Sequence, residues 1–333
     1  MNRIGIICPS EIAFRRFLPA LKEAGCFEYA GVAIASKEEF AGATDEILAK
    51  ERAKAQTFVD SYGGKIYEGY SILIHSDEVD AIYLPLPPGL HYKWAKEAVA
   101  TGKHILCEKP CTTALTNTED LLKDADEKGL AAHENYMFAF HDQLEAVNDI
   151  VRSGEIGDVR LYRISFGFPM RAQNDFRYNK ALGGGALLDC GGYTLKYASM
   201  LLGPTAQIKY AQSNNIEGFS VDMYGSAALV NDEGVTAQIA FGMDHNYKCE
   251  LEVWGSKGTV YTNRILTAPA GLVPEVVIRK GNEEEKRNLP ADDAFKKSIL
   301  HFYHCTEDDD IRKENYRTLL CQAELVEEFK QLS

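Results

Sequence analysis

The chain predicts an α/β protein in two parts: an N-terminal doubly wound parallel sheet, then a C-terminal α+β domain with a large, mostly antiparallel, open-faced sheet. Three observations carry this reading. Over the first 130 or so residues, short apolar runs alternate with longer amphipathic stretches, the pattern of strands joined by crossover helices. Beyond about residue 155, strand-like runs follow one another across short glycine-bearing turns, as hairpin-linked strands require. The length, 333 residues, exceeds what one core usually serves. The chain divides on this basis into 1–133, a Rossmann domain, and 134–333, a substrate-binding and oligomerisation domain.

Taken in order, Arg3–Cys8 reads as a buried strand and Ile12–Ala24 as a helix with apolar positions at Ala13, Phe17, Leu21 and Ala24. Tyr29–Ala35 is the next strand, Asp45–Tyr62 a helix and Ile66 a short strand. Val79–Leu84 is a strand closed by Pro85, Pro87 and Pro88. The helices Tyr92–Thr101 and Asn117–Lys128 stop at Gly102 and Gly129, where a left-handed residue ends a helix at little cost. His104–Cys107 and Leu130–His133 are the strands beside them. A connecting helix spans Phe140–Arg152, Val159–Phe168 is a long strand, and Gly185–Leu202 is a helix that follows a triple glycine. Strands near 206–213, 223–230, 236–242, 248–254, 258–262 and 275–280 form the meander. Helices near Asp292–His304 and Glu314–Gln331 close the chain, and the acidic runs Glu283–Glu285 and Asp308–Asp310 read as solvated loops. One face of the second sheet needs cover, so a homodimer or homotetramer through it is expected.

Composition narrows the function. Apolar residues make up 45% and charged residues 26%, which fits a folded globular chain. The start, MNRIGIICPSEIAFRRF, has an apolar run of about five residues followed by charges, unlike a secretory signal. No run approaches the roughly 18 apolar residues of a membrane span, so a cytoplasmic protein without a membrane partner is expected. The eight cysteines are scattered through apolar stretches and read as reduced, buried thiols. Cys107 and Cys111 flank a Glu-Lys-Pro turn, but His104 alone does not complete a ligand set, and no metal is expected. Net charge is −13 with no basic stripe, which argues against nucleic acid. An anionic substrate would need a local positive pocket, for which Arg15, Arg16, Arg171 and Arg177 are candidates.

A dinucleotide site wants G-x-G-x-x-G/A after the first strand, for a tight turn and close approach to pyrophosphate. Here the stretch is Cys8-Pro9-Ser10-Glu11-Ile12-Ala13, and only Ala13 fits. The helix N-terminus at Glu11 and Ile12 still offers free N–H groups to phosphate, and Ser10 has a hydroxyl to donate. After the second strand stand Ser36 and Lys37, where an NAD site usually carries an acid. A hydroxyl followed by a cation suits a 2′-phosphate and favours NADP, with NAD possible; Glu38 and Glu39 lie close enough to oppose it.

Four segments carry a wider likeness: AIYLPLPPGLH at 81–91, KHILCEKP at 103–110, ENYMF at 134–138 and GGGALLDCGGY at 183–193. In this order and spacing the chain resembles, end to end, the glucose–fructose oxidoreductase/inositol dehydrogenase family. Within it, EIAFRRFLPAL (11–21), LPLPPGLHYKW (84–94), NDFRYNKALGGGALLD (174–189) and ELEVWGSKGTVYTNR (250–264) are most similar to nucleotide-sugar 3-ketoreductases. The resemblance implies an NAD(P)-dependent reductase of a keto group on a sugar. It places Lys109 beside the nicotinamide, with Glu108 and the loop Leu84, Pro85, Leu86 lining the cofactor. Cys8, Ser10, Glu11, Ile12, Ser36, Lys37, His91, Asn135 and Arg177 complete the cofactor set, and Arg15, Arg16 and Tyr136 face the substrate. Tyr193 and Asp189, four residues apart on one helix, would share a face. The missing glycines at 8 and 10 are the clearest departure from the family pattern.

The chemistry asks for a hydride to carbon and a proton to the developing alkoxide. A lysine beside a cationic nicotinamide gives up its proton readily, and a tyrosine hydrogen-bonds the same oxygen. Lys109 and Tyr193 fill these roles, while Asp189 orients the sugar or sets the charge of Lys109. Two other readings share the scaffold: a dehydrogenase or reductase of a free sugar, inositol or anhydro-sugar, and a non-catalytic NADP-sensing protein.

Overall fold

The computed structural model describes residues 2–40 and 42–333. The chain forms two compact units, Met1–Asn135 with Phe295–Leu320, and Tyr136–Ala294 with Cys321–Ser333.

The first unit opens with β1 (Arg3–Ile7), a π-helical turn at Ala13–Phe17, and α1 (Leu18–Ala24). It continues through β2 (Glu28–Ala33), α2 (Asp45–Tyr62), β3 (Lys65–Tyr67), α3 (Tyr70–Ile74), β4 (Ala81–Leu84), α4 (Pro88–Ala100), β5 (His104–Cys107), α5 (Leu115–Glu127) and β6 (Ala132–Glu134). The strands pair in parallel in the order β3-β2-β1-β4-β5-β6. That is the doubly wound Rossmann order, with its topological switch between β1 and β4, outside whose carboxyl ends ligands bind in such sheets. Covered on both faces, the central strands are apolar throughout; Ile4, Ile6, Ile7 and all of β4 are buried. α4 begins four residues before the sequence suggests, because Pro88 suits the first helical turn, where its missing N–H costs nothing. α3 has no sequence signal, being too short to show a period.

The second unit holds α6 (Asp142–Arg152), β7 (Val159–Gly167), a π-helical turn at Leu187–Gly191, and α7 (Gly192–Leu202). The meander follows as β8 (Gln207–Asn214), β9 (Tyr224–Val230), β10 (Thr236–Gly242), β11 (Lys248–Gly255), β12 (Thr259–Asn263), β13 (Glu275–Lys280) and β14 (Glu283–Asn288). Its sheet runs β14-β13-β12-β11-β7-β10-β9-β8. Every pairing is antiparallel except β7 with β10. Residues alternate as a half-covered sheet demands. Ile164, Phe166, Leu229, Ile239, Phe241 and Leu251 join Leu195 and Ala198 of α7 in one core. On the other face Arg163 bonds Gln238 and Glu252 and lies over the Trp254 ring.

Two acidic runs read as loops take part in regular structure. Glu283–Glu285 opens β14, an exposed edge strand whose charges blunt further pairing. Asp309 opens α9 (Asp309–Leu332), and the Asp308 carboxylate caps it by accepting the Ile311 N–H at 3.0 Å. Negative charge at a helix N-terminus is favourable. The sequence division at 134 also leaves out α8 (Ala294–Glu307) and the first part of α9 from the first unit. Phe302 stacks on Phe27, Tyr316 and Leu319 join the first core, and Asn315 Nδ2 donates to Ala132 O at 2.6 Å. None of the eight cysteines forms a disulfide, and five of them are buried. Among the described residues no helix is long and apolar enough to cross a membrane, and no cluster of three or more His, Cys, Asp or Glu could hold a metal.

Phe302 has no exposed surface, so Phe302→Ala should cost the first unit about 3–5 kcal/mol. Urea unfolding followed through the buried Trp94 should show the drop. An unchanged midpoint would detach α8 from this core.

Candidate active site

The turn after β1 keeps the shape that glycine usually provides. Cys8 has φ +76°, in the left-handed region, at a cost of about 1–2 kcal/mol for a side chain with Cβ. Cys8 N–H donates to Ala33 O, and Ser10 N–H donates back to Cys8 O. Ser10 Oγ then accepts the Ala13 N–H at 3.2 Å, so this side chain caps the helix. The first N–H groups, at Glu11 and Ile12, have no acceptor within the helix. Arg15 and Arg16 project from the π-helical turn that follows, both exposed, Arg15 paired with Glu11. π-turns concentrate at functional sites.

After β2, Ser36 and Lys37 lead into an exposed stretch. Lys37 pairs with Asp45 at 2.6 Å, which holds its ammonium above the usual range. Glu39, read in the sequence as an opponent of phosphate, is committed elsewhere. Its carboxylate accepts the N–H groups of Ser36, Tyr70 and Ser71 at 2.8–2.9 Å. Burial opposes ionisation, but those N–H donors outweigh it and keep the group below the ordinary carboxylate range.

The loops after β4 and β5 are tied together by His91. This residue is wholly buried; Nδ1 lies 2.8 Å from Pro110 O and Nε2 2.7 Å from Leu86 O. It therefore clamps the proline-rich loop to the Glu-Lys-Pro turn, which corrects its expected place on the cofactor surface. Burial depresses the imidazole to about 4, although both carbonyls favour the protonated ring. Leu84, Pro85 and Leu86 are buried, and Leu84 O accepts the Glu108 N–H at 3.1 Å. Glu108 Oε1 accepts from Tyr83 Oη and Asn135 Nδ2, each at 2.7 Å. Burial raises this carboxyl above its usual range, with the two donors and Lys109 pulling it back. Glu134 accepts the Cys111 N–H at 2.9 Å and anchors the far side of the turn. Lys109, half-buried, follows Glu108 directly.

In the second unit, the glycines at 184 and 185 answer to local crowding. A Cβ on Gly184 would run into Arg177 O, and one on Gly185, whose φ is +127°, into the Asp222 carboxylate. Asp222 Oδ2 accepts the Leu187 N–H at 2.6 Å and fixes the start of the helix. The π-helical turn then carries Asp189, and α7 carries Tyr193, so the pair is not the plain one-turn repeat that spacing suggests. Asp189 Oδ2 accepts from Arg177 Nε at 2.6 Å, and Arg177 Nη1 reaches Asp175 at 3.1 Å. Arg177, expected on the cofactor, thus serves Asp189; burial disfavours its charge, and the two carboxylates more than compensate. Tyr193 is buried within a ring of aromatics, 5.0 Å from Tyr136, 5.3 Å from Phe166 and 5.7 Å from Phe138. Tyr136, expected on the substrate, is itself 1% exposed and takes a hydrogen bond from Gln322. It supports Tyr193 edge-on instead. Arg171 is exposed, its guanidinium over the Phe168 ring.

Sequence reasoning misread Glu39 and missed Tyr83, Glu134, Asp222 and Gln322; Tyr83 and Glu134 lie within the segments 81–91 and 134–138, but nothing there signals their buried partners, and Asp222 and Gln322 lie in no recognisable motif. The Rossmann strand order, a glycine-like turn after β1 and an unblocked helix N-terminus define a dinucleotide-dependent oxidoreductase. The chain belongs to the glucose–fructose oxidoreductase/inositol dehydrogenase (GFO/IDH/MocA) family. Residues 12–136 match the oxidoreductase family, NAD-binding Rossmann fold, and residues 144–261 the GFO/IDH/MocA C-terminal domain. A dTDP-3,4-didehydro-2,6-dideoxy-alpha-D-glucose 3-reductase from Actinomadura kijaniata is 38% identical, over 98% of this chain and 93% of its own. One from Streptomyces violaceoruber is 38% identical over 99% and 94%. The crystal structure of a 3-ketoreductase from Actinomadura kijaniata, in complex with NADP and TDP-benzene, superposes with a TM-score of 0.91 at 37% identity, covering 99% of this chain and 97% of that one. That protein was also solved with a tyrosine changed to phenylalanine and with a lysine changed to alanine. The two altered residues are as far apart in sequence as Lys109 and Tyr193 are here.

Two outcomes test this description. Gly185→Ala should lower stability by about 1–3 kcal/mol through its backbone conformation and the clash with Asp222, read by urea unfolding through Trp254. For His91, the unfolded chain takes up a proton below about pH 6.5 that the native ring refuses until about 4. Stability should therefore fall as pH drops through that window, by up to about 3 kcal/mol. His91→Gln should flatten this part of the stability–pH curve; an unaltered slope would show that His91 contributes none of it.

Proposed function

We propose that this protein is an NADP-dependent reductase of a keto group on a nucleotide-linked deoxysugar. The observation that carries the reading is the coincidence of Lys109 and Tyr193, in sequence position, with the lysine and tyrosine altered in the NADP- and TDP-benzene-bound relative. The nicotinamide, when bound, supplies the hydride. Lys109 donates the proton to the new hydroxyl oxygen, and Tyr193 hydrogen-bonds that oxygen. The aromatic ring packing around Tyr193 supports this role, because it leaves the phenol little rotational freedom. Asp189, oriented by Arg177, accepts a sugar hydroxyl.

The berth formed by Ser10, Glu11 and Ile12 takes the cofactor pyrophosphate, and Ser36 with Lys37 takes the 2′-phosphate, Lys37 exchanging Asp45 for it. Arg15 and Arg16, exposed on the π-turn, are placed to grip a substrate diphosphate, which needs paired cationic donors. The polar outer face of the second sheet, with Trp254 and Tyr210 about half exposed, serves a homodimer or homotetramer.

Lys109→Ala and Tyr193→Phe should each lower kcat at least about tenfold with thermal unfolding unchanged, assayed with a TDP-linked keto-sugar and NADPH. Turnover of a free sugar at a matching rate would shift the reading to the free-sugar enzyme. Full activity in both variants would remove the proton-donor assignment.

A further inference from the structure

An unbroken line of buried hydrogen bonds runs inward from the Glu-Lys-Pro turn to α9. Tyr83 and Asn135 donate to Glu108 Oε1. Ser298 Oγ, on α8, donates to Asn135 Oδ1 at 2.8 Å. His133 Nε2 lies 3.0 Å from Ser298 Oγ, and His133 Nδ1 lies 2.7 Å from Asn315 Oδ1. The Asn315 amide nitrogen is already donating to Ala132 O. Glu108, Asn135, Ser298, His133 and Asn315 are all at most 9% exposed.

Counting donors limits the line to two states. Ser298 has one hydroxyl proton and spends it on Asn135, so Nε2 must donate to Ser298. Asn315 presents its carbonyl oxygen to Nδ1, so Nδ1 must donate as well. A ring that donates from both nitrogens is an imidazolium. Its counter-charge stands at the other end of the line, on Glu108. One other arrangement satisfies every group: turn the Asn135 amide and the Ser298 hydroxyl around, place the proton on Glu108, and leave His133 neutral. Both arrangements hold the same number of protons. The two states differ in which end carries the proton and in the sense of the Asn135 amide between them, so the protonation states of Glu108 and His133 are linked.

We propose that His133 and Ser298 are positioning residues of the reaction: through Asn135 they share one proton with Glu108, keeping that carboxyl ionised next to Lys109 with His133 as its imidazolium counter-ion. Charge in this region is otherwise sparse. On the Glu108 side stand Tyr83 from β4, the Cys107 thiol, which burial raises well above its usual range, Glu134 on the Cys111 N–H, and Lys109. On the His133 side, α8 presents His301 at 5.3 Å, which burial holds below the ordinary imidazole range. From α9, Arg312 is committed to Cys305 O and Asp309. On β5, His104 accepts the Ala131 N–H and is likewise depressed by burial. His91 also has acceptors at both ring nitrogens, Pro110 O and Leu86 O, yet burial holds it to about 4; two acceptors do not by themselves charge a buried ring, and the carboxylate at the far end of the line is what distinguishes His133.

The kinetic consequence rests on Lys109 as proton donor; the imidazole titration does not. In full-length protein with 15N-labelled histidine, the His133 signals are those missing from His133→Gln. They should show both ring nitrogens protonated at pH 7. In Glu108→Gln the His133 midpoint should fall by at least about one pH unit, and in a Ser298→Ala background Glu108→Gln should no longer move it. Ser298→Ala should also lower kcat about tenfold and bring the alkaline limb of the pH–rate profile to lower pH, with KM for NADPH held within about twofold and Ser298→Thr restoring both. A single ring proton at pH 7, or the same midpoint in Glu108→Gln, overturns the proposal. So does a loss of thermal stability in Ser298→Ala with the pH limbs unmoved. If Lys109→Ala stays active while Glu108 and His133 remain coupled, the proton-donor reading fails and the charge sharing stands.

Discussion

Backbone that leaves a parallel sheet at the carboxyl ends of its strands must turn without a ladder to satisfy it, and buried N–H and C=O groups left unpaired are costly. In the first unit, titratable side chains meet that demand. Glu39 holds the N–H groups of Ser36, Tyr70 and Ser71; His91 spans Leu86 O and Pro110 O; Glu134 holds the Cys111 N–H. The second unit uses the same device where Asp222 takes the Leu187 N–H. Each of these groups is tied to main chain next to a residue of the candidate site, so the geometry of Lys109 and of the phosphate berth depends on side chains that need never touch a ligand.

This explains what could and could not be read in the sequence. The alternation of apolar runs and helices, and the glycines at 102 and 129, follow local rules, so the Rossmann order was legible. The motifs around Lys109 and Tyr193 were legible too, because their residue types are close together in the chain. The anchors were not. Glu39 looked like an unwelcome charge beside Lys37, since nothing local says that Tyr70 and Ser71 come to meet it. Membership of α8 and α9 in the first unit depends on Asn315 reaching Ala132 and Phe302 reaching Phe27, across more than half of the chain, with no periodic signal. The π-turns at 13–17 and 187–191 were hidden for another reason. An extra residue in a helical turn leaves composition unchanged, so no residue type marks where the helix carrying Asp189 widens ahead of α7.

The ion pair between Arg177 and Asp189 fixes both side chains within the second unit. Both side chains are largely withdrawn from water, and such a pair contributes direction more dependably than stability, since desolvation offsets much of the attraction. Its effect is to fix one carboxylate oxygen of Asp189 and to offset its charge. A chain of net charge −13 has few cations to spare, and here one is spent inside the protein. Arg15 and Arg16, by contrast, stay exposed to water.

The eroded glycine turn follows the same economy. Holding Cys8 at positive φ costs about 1–2 kcal/mol, and a serine cap on the following helix contributes about 1 kcal/mol. The two nearly cancel, so the chain keeps the turn without its glycines and without loss of fold. Ser10 cannot both approach phosphate as closely as a glycine would and turn its oxygen to Ala13, but its hydroxyl proton is not used in the cap. That proton stays available on the residue that supplies the cap. A motif search scores this position as lost, although the left-handed turn it marks is kept.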